Sequence, residues 1–313
     1  MDIALFILLA IILLIVFTGG YIFFAACLRM KEMPWMDPKK LPDDQFAKYT
    51  QLIQNSKQWL SEHHAKDAYI TGNDGVRLHA LWIPAHNAKG TILLAHGYRS
   101  SMFFDFGSVF EVYHNLQMNI LLPDQRCHGE SQGKYITFGV KESQDMQKWI
   151  DYHNSELGNF QMIVSGISMG AATIMYLADQ VLPKNVKGMI VDCGFTSPAA
   201  IISHVFTSTV HLPAVPFIWI ADLFARVFAG FSFYQKDSRK TLANSRLPVL
   251  MIHGKADDFV PAYMSQQGYD ACTSEKKLFM VENAEHGTSY WEEPEQYRQH
   301  VIAFLNKHLE GMA

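Results

Sequence analysis

At 313 residues the chain is long enough for one large domain with an appendage. Its 49% apolar content supplies a sizeable core and excludes a disordered chain. A net charge of only -4, with no block of Lys or Arg, leaves no expectation of nucleic acid as a partner.

No charged residue stands between Asp2 and Arg29. As a helix, the ~26 residues from Ile3 to Leu28 extend roughly 39 Å, more than the ~30 Å hydrocarbon core of a bilayer. A cleaved signal peptide normally has a basic start and a shorter apolar run, and this chain begins Met-Asp. Phe24-Ala25-Ala26-Cys27 only faintly resembles a lipoprotein signal, and a buried core helix is rarely so long and so uniformly apolar. The expectation is an uncleaved transmembrane anchor over 3–28. Arg29, Lys31, Lys39 and Lys40 follow it and no Lys or Arg precedes it, so the positive-inside rule places the rest of the chain in the cytoplasm. This predicts a single-pass cell-membrane protein.

Residues 29–66 read as a linker followed by an amphipathic helix. Three prolines fall within 34–45, and Phe46, Tyr49, Leu52, Ile53, Trp59 and Leu60 recur at spacings of three and four. That apolar face is expected to pack on the following domain, with the membrane surface as the alternative.

From about Asp67 to the C-terminus, strand-like and helix-like runs alternate. Leu78 to Ile83, Thr91 to Ala95, Asn119 to Leu122, Met162 to Val164, Met189 to Val191, Val249 to Ile252 and Leu278 to Val281 are short and mostly apolar. Helical patterns lie between most of them, at Lys141 to Asn154 and Ala171 to Val181 for example. The pattern predicts an α/β domain with a mainly parallel twisted sheet flanked by helices, its site at the carboxyl ends of the strands.

Gly166-Ile167-Ser168-Met169-Gly170 fits G-x-S-x-G between a strand and a helix that starts with small residues. That is the context of a nucleophile elbow, where the serine sits on a sharp strained turn. A serine hydroxyl needs a base, and the base needs an orienting acid. The expected chain order, Ser then acid then His, is met by Asp257 or Asp258 past the strand Val249 to Ile252, and by His286 past the last strand. Oxyanion donors are expected at the N–H of Met169 and of Tyr98, where Gly97 allows close backbone approach. His96 reads as a structural hydrogen-bonding residue. Cys27, Cys127, Cys193 and Cys272 are scattered without a metal-ligand pattern, so free thiols are expected, with no metal and no organic cofactor.

Together, His96-Gly97-Tyr98, Asp124 to Ser131, Gly166 to Gly170, His253-Gly254 with Asp257 and Val260-Pro261, and His286 resemble the α/β-hydrolases, from about Asp67 to Leu309. The likeness extends to bacterial membrane-tethered hydrolases of the YqkD type, related to Bem46-like and prolyl-oligopeptidase-like esterases. The resemblance implies the α/β-hydrolase fold, makes Asp257 the triad acid, and gives Asp124, Arg126 and Ser131 structural roles. Only one glycine stands where lipases carry His-Gly-Gly-Gly. The resemblance also places a small helical lid at about 198–246, an apolar and aromatic segment in which Phe206, Trp219 and Phe224 are expected to line a substrate pocket. The expected activity is hydrolysis of a small-molecule or lipid-like ester by Ser168, His286 and Asp257. The alternatives are peptidase, thioesterase or acyltransferase chemistry on the same fold, or a non-catalytic binding protein.

Overall fold

The continuous apolar runs form the centre of one eight-stranded sheet. The computed structural model describes residues 3–30 and 50–312. The expected linker, with Lys31, Lys39, Lys40, Phe46 and Tyr49, lies largely outside the described residues. The strands are β1 (Lys66–Thr71), β2 (Arg77–Ile83), β3 (Gly90–Ala95), β4 (Met118–Pro123), β5 (Met162–Ile167), β6 (Val186–Asp192), β7 (Val249–Gly254) and β8 (Lys276–Val281). They lie in the order β1-β2-β4-β3-β5-β6-β7-β8. Only β2 runs against its neighbours; every pairing from β4 to β8 is parallel. All residues of β3, β4 and β7 are buried, because helices cover both faces.

The helices are α1 (Ile3–Cys27), α2 (Thr50–Glu62), α3 (Met102–Phe106), α4 (Phe110–Asn115), α5 (Val140–Glu156), α6 (Met169–Met175), α7 (Pro198–Val210), α8 (Phe217–Phe224), α9 (Ser238–Ala243), α10 (Tyr263–Ala271), α11 (Ser289–Glu292) and α12 (Pro294–His308). One core, around Ile92, Ile120 and Leu250, receives α3, α4 and α12; the other, around Leu93, Val164 and Met189, receives α5 and α6. Trp59 and Leu60 at the end of α2 pack on the first. The helix expected over Ala171 to Val181 is shorter, ending at Met175, and Tyr176 and Leu177 are buried in the turns that follow. β1 is a strand the apolar pattern did not announce. It is an edge with mostly exposed residues, so it lacks a continuous apolar run.

Residues between β6 and β7 leave the sheet as α7, α8, a π-helical turn (Ala225–Ala229) and α9. This excursion meets α1 in a third apolar cluster, where Phe23 and Cys27 join Ile218, Ala221 and Ala225. Gly19 and Gly20 make the approach possible. A Cβ on Gly19 would lie 2.6 Å from the Ile220 Cβ, and one on Gly20 would lie 3.1 Å from the Phe224 ring. The free part of α1, from Ile3 to Phe17, is almost entirely exposed. The whole helix, Ile3–Cys27, is long and apolar enough to cross a bilayer.

Candidate active site

Ser168 sits between β5 and α6 with φ 56 and ψ -117, a backbone conformation that L-residues rarely adopt. The surrounding sequence enforces it. A side chain at Gly170 would strike the Ala95 carbonyl, and one at Gly166 would strike Gly170 itself. The Ser168 N–H donates to the Asp192 carbonyl at 2.9 Å, fixing the turn against β6.

The structure brings Ser168, His286 and Asp257 together from three strand ends. Ser168 Oγ lies 2.9 Å from His286 Nε2, and His286 Nδ1 lies 2.8 Å from Asp257 Oδ2. An ionised carboxylate only accepts, so the His286 proton sits on Nδ1 and leaves Nε2 as the acceptor facing the serine. Asp257 is buried, and burial alone would raise its pKa. The charge interaction with His286, with hydrogen bonds from His253 and His286, more than reverses this and holds the carboxyl well below its usual range. Its other oxygen accepts the N–H of Phe259 at 3.0 Å and of Val260 at 2.8 Å. Asp258 is exposed and outside this chain of bonds.

His253, fully buried, supports Asp257 from behind. Its Nε2 lies 3.2 Å from Asp257 Oδ2 and 2.8 Å from the Val260 carbonyl, while Nδ1 is 2.6 Å from Ser265 Oγ.

Met169 is the first residue of α6, where helix N–H groups have no intrahelical acceptor. Gly97 brings the second expected donor close: a Cβ there would be 3.3 Å from the Ser168 Cβ, so the Gly97–Tyr98 backbone passes directly beside the serine. Among the described residues, neither the Met169 nor the Tyr98 N–H donates to a protein acceptor.

The loop carrying Tyr98 is held by Asp105, which the sequence pattern did not single out, together with His128 and His96 of the motifs named above. Asp105 accepts the Gly97 N–H at 2.5 Å and the Ser100 hydroxyl at 2.6 Å. His128 Nε2 accepts the Arg99 N–H at 2.9 Å; burial lowers the pKa of this imidazole to about 3 and keeps it neutral. His96 accepts the Gln125 N–H at Nε2 and pairs with the Gly97 carbonyl at Nδ1, a structural arrangement.

The motif Asp124 to Ser131 is also bound within the fold. Asp124 takes His79 at 2.8 Å and the Glu130 N–H at 2.9 Å, and the Ser131 hydroxyl donates to the Asp124 carbonyl at 2.6 Å. Arg126 donates to both Asp145 oxygens at 2.7 Å and to Asp74 at 2.9 Å.

A cavity of about 360 Å³ opens over Ser168. Phe206 lines it, with Phe138, Phe195 and Ile202. Trp219 and Phe224, expected in the pocket, are not there. Trp219 points outward at 60% exposure, and Phe224 packs against Gly20 and Phe23 of α1. Helix α8 is apolar on most of its circumference, so its sequence does not reveal which face turns inward; α1 occupies one side of it. The cavity instead takes Tyr21, Ile22, Ala25 and Ala26 from α1 itself.

Cys193, Asp257 and His286 are near enough to suggest metal ligands. Burial pushes the Cys193 thiol far up, so it stays protonated, and the other two are engaged with each other.

Residues 86–214 match the family model described as serine aminopeptidase, S33. The YqkD protein of Bacillus subtilis is 27% identical over 78% of this chain and 81% of its own length. The YfhR protein of Escherichia coli K12 is 24% identical over 77% and 80%. Among solved structures, a Pyrococcus furiosus esterase superposes with TM-score 0.66 at 24% identity, covering 80% of this chain and 94% of that one. A Pyrococcus horikoshii acylaminoacyl peptidase superposes with TM-score 0.59 at 16% identity over 79% and 42%. At these identities the likeness to the solved structures is one of fold.

Proposed function

We propose that this chain, a member of the α/β-hydrolase superfamily by its fold and its matches, is a membrane-anchored serine esterase working through an acyl-enzyme. The observation that carries this reading is the unbroken line from Ser168 Oγ through His286 to Asp257, with a strained serine at the floor of an apolar cavity. His286 Nε2 removes the Ser168 proton as Oγ attacks the ester carbonyl, and Asp257 orients the imidazole and stabilises its charged form. The Met169 and Tyr98 N–H groups receive the oxyanion, aided by the positive end of the short helix α6. His286 then protonates the leaving alcohol, and activates the water that releases the acid.

Ester cleavage fits the cavity better than removal of an amino-terminal residue. An aminopeptidase must neutralise the substrate ammonium, and the described cavity lining holds no carboxylate; its one charged side chain is Arg99. An apolar lining suits an acyl chain.

Retention of α1 as an anchor is supported by its docking. The Tyr98 hydroxyl donates to the Ala26 carbonyl at 2.8 Å, Arg99 donates to the Ala25 carbonyl, and Arg29 donates to the Ser131 and Gly129 carbonyls at 2.6 and 2.9 Å. The Ile136 N–H donates to the Cys27 carbonyl at 2.7 Å. A segment destined for removal has no use for such contacts.

The test is hydrolysis of p-nitrophenyl esters of increasing chain length by the wild type and Ser168→Ala, with fluorophosphonate labelling alongside. Hydrolysis and labelling that both vanish in Ser168→Ala are the expected result. A wild type that neither hydrolyses any ester nor takes the label overturns the assignment.

A further inference from the structure

Resting on the reading of an anchored esterase, we propose that the anchor helix is itself a wall of the substrate site, and that the site takes the acyl chain of a lipid-type ester directly from the bilayer. Tyr21, Ile22, Ala25 and Ala26 line the same cavity as Ser168. At 100° per residue these four share one side of α1, while Gly19, Gly20, Phe23 and Cys27, its buried residues, share the other. The helix therefore has two jobs on two faces: one packs against α8, the other borders the cavity, with Ile202 and Val205 of α7 also in its lining.

Depth along the helix places the cavity mouth. A hydrocarbon core of ~30 Å is spanned by about 20 helical residues, so a span that starts at Ile3 ends near Ile22. Gly19 and Gly20 then lie inside the acyl region, and so do the α8 residues packed on them, Ile220 and Phe224. Tyr21 and Ile22 stand at the boundary, with Ala25 and Ala26 one turn beyond it. The outward residues of α8 share this depth, and the π-helical turn carries the same face on to the boundary, where Phe228 packs on Phe23 and Phe24: Trp219, Leu223, Val227 and Phe228 are 60, 53, 67 and 51% exposed. Four large apolar side chains on one small surface, joined to a membrane span, are suited to lipid rather than water. The occupant of this face is the acyl region of the bilayer in which α1 is anchored, and the cavity beside it opens at the level where lipid esters reside.

The same wall is bolted to the catalytic machinery. Tyr98, whose N–H is placed to receive the oxyanion, holds the Ala26 carbonyl through its hydroxyl, and Arg99 holds those of Ala25 and Leu28. Position of the anchor and position of the oxyanion loop are thus one structural variable.

The test uses the full-length protein reconstituted in phosphatidylcholine vesicles, with p-nitrophenyl butyrate and laurate as probes. Ala25 is exposed on the cavity side, so Ala25→Phe fills the cavity without entering the packed face. The ratio of laurate to butyrate hydrolysis should fall by about tenfold or more in Ala25→Phe. Leu14→Phe, on the exposed stretch of α1, should leave the ratio unchanged. Should Ala25→Phe fail to accumulate, Tyr21→Ala decides instead, by raising the ratio. Depth is read by a nitroxide at Leu223→Cys, where the four native cysteines are buried and escape labelling: relaxation by oxygen should exceed that by a water-soluble nickel chelate. An unchanged ratio in a variant that still takes the fluorophosphonate label, or a nitroxide in water, overturns the proposal. A wild type that takes no label at all overturns instead the esterase reading on which it stands.

Discussion

Asp105 shows how a residue without a motif can decide the geometry of a site. Its two oxygens hold the Gly97 N–H and the Ser100 hydroxyl on either side of Tyr98. Without them the loop loses the curl that presents the Tyr98 N–H. Asp105→Ala should therefore lower kcat by about 10- to 100-fold with a smaller change in KM, less than the ~100- to 1000-fold of a donor lost outright, because the N–H is misplaced and not removed. Asp105→Asn, which keeps one acceptor, should recover part of the loss; an equal loss in both variants, or one confined to KM, counts against positioning. Asp192 supplies a pH-dependent prediction. Burial raises its pKa to about 6, against the charges of His253 and His286 and the Ser289 hydroxyl at 3.0 Å. A carboxyl raised on folding gives stability that is complete below its unfolded value and is lost as pH rises through about 6. Asp192→Asn keeps an acceptor for Ser289 but cannot ionise. Between about pH 4 and 7 the wild type should lose about 2 kcal/mol relative to this variant, most of the free-energy gap between a carboxyl that titrates in the ordinary range and one that titrates near 6. Urea unfolding at each pH measures it. A constant difference across that range would remove Asp192 from the account. Ser168, Asp257 and His286 were readable because each follows a strand whose apolar run is unmistakable. Asp105 was not, because its partners are a backbone N–H and a hydroxyl in a loop whose path only the fold defines.

The elements divide in the same way. Strands buried on both faces announce themselves, and β3, β4 and β7 lie within a residue or two of their apolar runs. Edge strand β1, with Lys66, Asp67 and Tyr69 exposed, does not. The face presented by α8 was hidden for a different reason: its partner α1 lies some 200 residues earlier in the chain, and no periodicity in either helix records the pairing. Gly19 is where that pairing is most exacting, with Ile220 Cβ 2.6 Å and the Phe217 carbonyl 2.9 Å from where a Cβ would sit. Gly19→Leu should force α1 away from α8 and cost about 1–3 kcal/mol, the usual range for an overpacked contact. The reading is the thermal midpoint of the detergent-solubilised protein, with Leu14→Ala on the exposed stretch as the control. A Gly19→Leu midpoint equal to that of the control would mean that the helices do not meet as described.

On the proposed reading of an anchored esterase, the whole molecule joins a span that needs lipid to a catalytic domain that needs water, and the joint lies at the candidate active site. Cleavage anywhere between Gly20 and Cys27 would strip part of the cavity wall and free the groups of Tyr98 and Arg99 that hold α1. The chain isolated from membranes should therefore have the mass of the uncleaved sequence and resist extraction by carbonate; a species lacking the first 27 residues would refute retention. The joint also bears on orientation. Arg29 binds the carbonyls of Ser131 and Gly129 just beyond the helix, so one of the flanking cations is fixed to the domain rather than free in a tail. Lys31, Lys39 and Lys40 follow it on the same side. Translocating the domain would carry all four charges across the bilayer, which the positive-inside bias disfavours. A reporter fused after Ala313 should accordingly be active when it requires the cytoplasm and silent when it requires export. The reverse pattern would invert the topology while leaving the lipid-facing cavity mouth in place, because depth is set by the length of α1 and direction by the charges that follow it.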